Sequence, residues 1–504
     1  MDDALTAHVA ATLGAVGAVL LLTGRTRLQL LAGFAAIGLA QAGLALSLSG
    51  GISLENGVGA ATVAVGLGGL AALAALTAVL LRWPALVLPL VLLAAPFRLP
   101  LDVDRSHRFL LAVAESGELG RLLPLYVVLT AAVLAAVLRL LRNGDPRPLP
   151  DWLGWPAAAF LAYASLSLLW TDDLNAGTNI LLFFLNPFAA LLAVAGRAPF
   201  PDWMPRALAG VAVGLGCVFA TIGLWQAATE RLLFFAPRLE VANTYGSFFR
   251  VTSLFRDPSL YGRHLVAGVA VLLVALWLRR VNLWLAAAAI ALLWAGLYFS
   301  YSQSSMVALF AVALGITAVA GDRLAKLTVL TIAVFLVAAA SAFLIAELQD
   351  ESARRVTSDR SRRVEVTLDV ARDHPVAGVG LGAQPAASRA RSERGGLDAS
   401  FVSHTTPLTV VAELGAIGLA LYLALLAGAA RTLWTLWRRR PALGLALGAV
   451  LVALTAHSLF YSGFFEDPIT WVALAIASAA LAARIEAPAP AASPEPQPEL
   501  VAAR

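Results

Sequence analysis

Residues 258–320 read PSLYGRHLVAGVAVLLVALWLRRVNLWLAAAAIALLWAGLYFSYSQSSMVALFAVALGITAVA. Three apolar runs, near 258–278, 281–299 and 304–320, are separated by two short connections. The first connection carries Arg279 and Arg280, and the second, 300–303, carries neither lysine nor arginine. A run of about twenty apolar residues is the length of a helix across hydrocarbon, whereas a barrel strand needs about half that with alternating polarity. The stretch reads as three membrane helices whose cations lie on one side.

The pattern extends in both directions. Of 504 residues, 60% are hydrophobic and 13% charged, and the mean hydropathy is +0.81. Soluble domains are about a quarter charged, so composition selects a membrane protein. Further apolar runs fall near 7–23, 28–48, 58–81, 84–97, 122–142, 152–170, 179–196, 206–228, 327–347, 406–430, 441–460 and 468–483. The expected fold is an all-α polytopic membrane protein of about 14–15 transmembrane helices, with 84–97 short enough to be re-entrant. Met1-Asp2-Asp3 lacks the basic start of a cleavable signal, so 7–23 reads as a first membrane helix. The single cysteine, Cys217, excludes an intramolecular disulfide and a multi-cysteine metal site.

Charge asymmetry orients the chain. Arg25 and Arg27, then Arg82, then Arg139, Arg142 and Arg147, occupy alternate connections. Arg197 and Arg206, Arg279 and Arg280, Arg323 and Lys326, and Arg431 with Arg438 to Arg440 continue the series. The intervening short loops hold Glu55, Asp172, Asp173, Glu466 and Asp467 instead. The positive-inside rule then puts the first set in the cytoplasm, the N-terminus outside and the C-terminus inside. Three long loops, 98–121, 229–257 and 348–405, fall on the outer side.

The last of these is the polar interruption. It carries Arg354, Arg355, Arg360, Arg362, Arg363, Arg372, Arg389, Arg391 and Arg394, and ends at Ser403-His404-Thr405-Thr406-Pro407. Most such arginines are expected to be solvated or to meet headgroups. Asp359, four residues before Arg363, and Asp369, three before Arg372, would pair with them if a helix here presents a salt-bridged solvated face. A subset beside a histidine at the bilayer surface suits an anionic, membrane-bound substrate, because guanidinium forks bind phosphate oxygens bidentately.

Two further segments narrow the reading. Phe249-Arg250-Val251-Thr252-Ser253-Leu254-Phe255-Arg256-Asp257-Pro258-Ser259 enters a helix, and His404-Thr405-Thr406-Pro407 is followed by Glu413-Leu414-Gly415. Arg250 with Leu254 matches an Arg-x3-Leu pattern, and His404 with Gly415 a His-x10-Gly pattern. Between them, Arg362-Arg363 precedes Pro375-Val376-Ala377-Gly378-Val379-Gly380-Leu381-Gly382. This ordered set, over about residues 150–470, resembles the bacterial O-antigen ligase and polymerase superfamily. The chain departs from its relatives at Thr405, where asparagine is frequent, and at Gln303, where arginine is frequent.

The resemblance implies a GT-C-like glycosyltransferase of the bacterial inner membrane, acting without metal or other cofactor and with inversion. It would move a glycan from an undecaprenyl-pyrophosphate carrier to a lipid or glycan acceptor hydroxyl on the extracytoplasmic face. It has no use for nucleic acid. His404 is the candidate base, and Arg250, Arg256, Arg362 and Arg363 are the candidate pyrophosphate ligands. His264, Asp257 and Glu413 are secondary candidates: His264 beside the cavity, Asp257 orienting Arg250 or Arg256, and Glu413 as an intramembrane carboxylate. Thr406 and Pro407 are expected as the N-cap and first residue of the helix after His404.

Two rivals are a polymerase joining lipid-linked repeats and a transporter or flippase of lipid-linked oligosaccharide. A transporter should show internal repeats and charges near midplane, and neither is evident in the sequence. The expected division is 1–150 as N-terminal helices of unassigned role, 151–485 as the ligase-like core, and 486–504 as a disordered cytoplasmic tail.

Overall fold

The computed structural model describes residues 3–48, 60–97, 122–144, 146–233, 237–245, 248–255, 257–323, 326–327, 331, 360–391 and 402–483. Among the described residues there is helix and no strand, as hydrocarbon demands of a chain that must satisfy its own backbone. Among the described residues, ten helical spans are long and apolar enough to cross a membrane. The protein is an all-α polytopic membrane protein.

The first half comprises α1 (Asp3–Thr23), α2 (Arg27–Leu48), α3 (Ala60–Arg82), α4 (Val87–Ala94), α5 (Leu123–Leu141), α6 (Asp151–Leu166), α7 (Leu174–Ile180), α8 (Asn186–Ala195) and α9 (Met204–Thr229). After these come α10 (Pro237–Tyr245), α11 (Pro258–Trp277), α12 (Leu283–Ser300) and α13 (Gln303–Ala320). Two helices of the large loop follow, α14 (Arg360–Asp373) and α15 (Gln384–Arg391). The chain closes with α16 (Thr406–Arg439), α17 (Pro441–Ser458) and α18 (Pro468–Ala482).

The fifteen apolar runs resolve unevenly. Helices α7 and α8 join through a π-turn at Leu181–Leu185 into one span, Leu174–Ala195. The run at 84–97 turns by 114° against α3 at Trp83-Pro84, where proline cannot continue the preceding helix. It makes half of a broken span or a re-entrant loop. Helices α13 and α18 are apolar but shorter, and the 327–347 run and the 486–504 tail lie outside the described residues.

Capping sets several of the starts. Asp257, Asn282, Ser302 and Asp467 accept backbone N–H bonds at the heads of α11, α12, α13 and α18. Helix α18 is buried from Pro468 through Ala480, and every residue of α8 is buried. Helices apolar all round belong at a bundle centre. Phe160 of α6 stacks on Phe465 at 4.3 Å, just ahead of α18.

The most irregular backbone is α16. Gly415 adopts φ 64°, ψ −163°, a region open essentially to glycine alone. The helix breaks there, and the Pro-x-x-Gly-x-Gly-x-Gly turn lies against the break. Ala416 N–H donates to Pro375 O at 2.8 Å and Ile417 N–H to Val376 O at 3.3 Å. On the other side, Val379 N–H donates to Ala412 O and Gly380 N–H to Glu413 O. Backbone groups released by the break are thus satisfied by the turn, as buried irregular backbone requires. A Cβ at Gly415 would lie 2.1 Å from Val376 O.

Candidate active site

The turn places the two ends of the large loop together. Arg363, on the first turn of α14, directs Nη1 at Nε2 of His404, 2.5 Å away. A guanidinium can only donate, so Nε2 accepts, and the imidazole is neutral with its proton on Nδ1. His404 has φ 56°, left-handed, which turns its side chain out of the path into α16. The helix cap is Thr405, one residue earlier than expected, and its hydroxyl makes no cap bond. It donates instead to Leu459 O, while the Thr406 hydroxyl donates to Tyr461 O. Both tie the histidine segment to the loop after α17.

Gln384 holds this corner. Fully buried, it donates from Nε2 to Thr367 Oγ1 on α14 and to Ser388 Oγ on α15, and accepts from Ser403 N–H at 3.3 Å. Thr367 Oγ1 in turn donates to Arg363 O at 2.7 Å. One amide therefore spans the arginine helix and the histidine loop. Gln384→Ala should cost about 1–3 kcal/mol by leaving Ser403 N–H buried without its acceptor and Thr367 Oγ1 without its donor. Thermal unfolding of the purified variant measures it, and an unchanged midpoint would count against this role.

Arg250 sits at a second corner. Its Nε and Nη2 point to Ser300 O and Tyr301 O at 3.4 and 3.5 Å, at the C-terminal end of α12. A cation there meets the negative end of the helix. Its backbone exchanges two hydrogen bonds with the Asn243 side chain. The following residues are fixed by a second buried glutamine, Gln226 of α9. Gln226 accepts from Thr252 and Ser253 N–H and donates to Ser253 O, where φ is 54°.

The other sequence candidates have different surroundings. Arg256 lies outside the described residues, as does the side chain of Arg362, whose backbone is in α14. Asp257 caps α11, its Oδ1 accepting from Ser259 and Leu260 N–H. His264 Nδ1 donates to Leu260 O, and its ring packs on Phe255 and Phe219 at 4.7 and 5.9 Å. Glu413 is buried beside the break, its carboxyl facing the backbone amides of Gly382 and Gln384. It lines a cleft with Thr406, Phe160 and Glu466. The Asp369–Arg372 pair forms at 2.8 Å on exposed surface, and Asp359 lies outside the described residues.

One feature was not anticipated from sequence. Arg263 of α11 is 3% exposed and forms an ion pair with Asp467, 1% exposed. Its Nη2 also donates to His457 Nδ1 at 3.1 Å, and His457 Nε2 reaches Ser304 Oγ at 3.1 Å. Ser304, Ser302 and Ser305 are linked by their hydroxyls. This chain joins the loop between α17 and α18 to the 300–305 corner that holds Arg250. Among the described residues, no group of three or more His, Cys, Asp or Glu side chains is placed to hold a metal ion.

Comparison with known proteins agrees with the region so assembled. No curated protein matches the chain. Residues 288–423 match the family described as O-antigen ligase, a segment that includes Arg363, Gln384, His404 and Gly415. That match over residues 288–423 supports the resemblance to the O-antigen ligase and polymerase superfamily.

Proposed function

We propose that the protein is a membrane glycosyltransferase that moves a glycan from an undecaprenyl-pyrophosphate carrier to an acceptor hydroxyl on the extracytoplasmic face. The observation that carries this reading is the Arg363–His404 contact, which joins a phosphate-binding fork to a neutral imidazole. The reaction needs both. As the acceptor oxygen bonds the anomeric carbon from the face opposite the leaving group, the carbon–oxygen bond to pyrophosphate breaks. The hydroxyl proton passes to His404 Nε2, and the negative charge developing on pyrophosphate is met by guanidinium groups.

Arg363 occupies the lone pair that the base must use. A pyrophosphate offers that guanidinium a stronger, bidentate partner. Donor binding then draws Arg363 away and uncovers Nε2, so the base becomes competent only when a donor is in place. Arg250 is the second cation of this reading, and its long bonds to Ser300 O and Tyr301 O are weaker than a phosphate pair would be. Glu413 is assigned to the architecture of the break, facing the Gly382 and Gln384 amides.

The test is transfer in vitro from a synthetic undecaprenyl-pyrophosphate glycan, with chelator present, to a lipid acceptor or to a second lipid-linked repeat. Product on the lipid acceptor supports a ligase, and chain extension supports a polymerase. Release of free pyrophosphate carrier with inversion at the anomeric carbon is expected in both cases. Translocation of the intact donor across proteoliposomes without transfer would instead support a flippase.

A further inference from the structure

A second cation-lined cavity lies at the other end of the bundle. Its walls are Leu30 and Phe34 of α2, Val87 of α4, Ala136 and Leu140 of α5, and Ala193 and Val194 of α8. Arg139, Arg147 and Arg197 also line it, and its described lining contains no carboxylate. Asp145, between the lining residues Gly144 and Pro146, lies outside the described residues. Arg440, at the C-terminal end of α16, sits over the Phe200 ring next to this cavity at 5.5 Å. His404 lies at the opposite end of α16, and the 24 residues from Ala416 to Arg439 alone span roughly 36 Å as helix. The cavity is therefore separate from the candidate active site.

Arg197 is the best evidence that the cavity is made for an anion. Its Nη1 and Nη2 donate to Ala193 O, Leu21 O and Gly24 O, which are carbonyls at the C-terminal ends of α8 and α1. Its Nε is buried with no hydrogen-bond partner among the described residues. Burial pushes this guanidinium down to about 10, and it remains a cation at neutral pH. A buried donor left over from such a set is a site a ligand oxygen would fill. The apolar wall says what kind of ligand brings that oxygen. Leu28 of α2, and Leu138 and Leu141 of α5, are exposed on two of the helices that wall the cavity, so an acyl chain would have leucine surface to lie against. The bend between α3 and α4 sets Val87 into the same wall.

We infer that this cavity binds the phosphate headgroup of an anionic phospholipid, held by Arg139, Arg147 and Arg197 with its acyl chains along the α2 and α5 leucines. The residues belong mainly to the N-terminal helices, for which the proposed transfer reaction has no use, and the inference does not depend on that reaction.

Native mass spectrometry and thermal unfolding of the full chain in detergent, with phosphatidylglycerol, phosphatidylcholine or inorganic phosphate added, test it. Phosphatidylglycerol should be retained and should raise the unfolding midpoint, whereas phosphatidylcholine should do neither. With each cation worth about 1 kcal/mol to an anionic headgroup, Arg139→Gln with Arg147→Gln should weaken retention roughly 30-fold. The paired Arg139→Lys and Arg147→Lys variant should keep most of the preference, which separates lost charge from lost folding. Equal retention of both lipids, or undiminished retention by the Gln pair, would overturn the inference. Stabilisation by inorganic phosphate equal to that by phosphatidylglycerol would overturn the lipid as the source of the anion.

Discussion

Transfer by His404→Asn is expected to fall by about 10²–10⁴-fold, the range that loss of a general base commands. Asparagine is the informative replacement because position 404 is left-handed, at φ 56°, a conformation asparagine adopts more readily than most residues. A collapse of the loop is thereby separated from a missing base. Arg363→Lys retains a charge but not the fork and should raise KM for the donor as well as lower kcat. The masking of Nε2 has its own readout. In Arg363→Gln, His404 should react faster with an imidazole-acylating reagent than in the wild type, because the guanidinium no longer covers the nitrogen. Wild-type transfer by His404→Asn would remove His404 as the base. Unaltered reactivity in Arg363→Gln would remove the gate while leaving the base in place.

Helices were legible in this sequence because the signal is local. Each apolar run carries its own length, and the arginine alternation needs no knowledge of packing. The bend at Trp83-Pro84 was foreshadowed by the shortness of the 84–97 run. Pairing of Arg363 with His404 was reachable only through motif order, since 41 residues separate them. The cap at Asp257 was also legible, since aspartate before proline at a helix start is a cap and first-turn pair.

Gln226 and Gln384 were invisible for a different reason. A glutamine in a helix or a turn has no distinctive spacing, and its value lies in three hydrogen bonds to residues up to 27 positions away. The two play equivalent parts, one fixing the Arg250 loop and the other the His404 loop. Neither offers chemistry to a substrate. They hold irregular backbone still where catalytic groups must be carried on loops, the condition under which a site is precise enough to work. The glycines of the 375–382 turn could be read as a turn, but not as the repair of a break in α16. That role depends on Gly415, which follows Gly382 by 33 residues.

The second large effect concerns Arg263 and Asp467, which make no catalytic contact in the proposed reaction. Asp467→Ala should destabilise the protein by about 3–5 kcal/mol, because it leaves the Arg263 guanidinium buried opposite nothing. The same change removes the α18 cap, worth about 1 kcal/mol more, which Asp467→Asn would retain. Asn should accordingly be the milder of the two. Arg263→Met combined with Asp467→Asn should recover much of the loss, since neither charge is then stranded. Thermal unfolding in detergent gives the cycle directly, and additive losses in the double variant would show that the pair is not coupled. Transfer should fall with stability in the single variants. Through His457 and Ser304 the pair braces the corner under Arg250, and through the loop at Leu459 and Tyr461 it braces Thr405 and Thr406 beside His404. The two corners of the candidate site come from loops more than 150 residues apart, and this buried chain is a physical connection that can keep them in register.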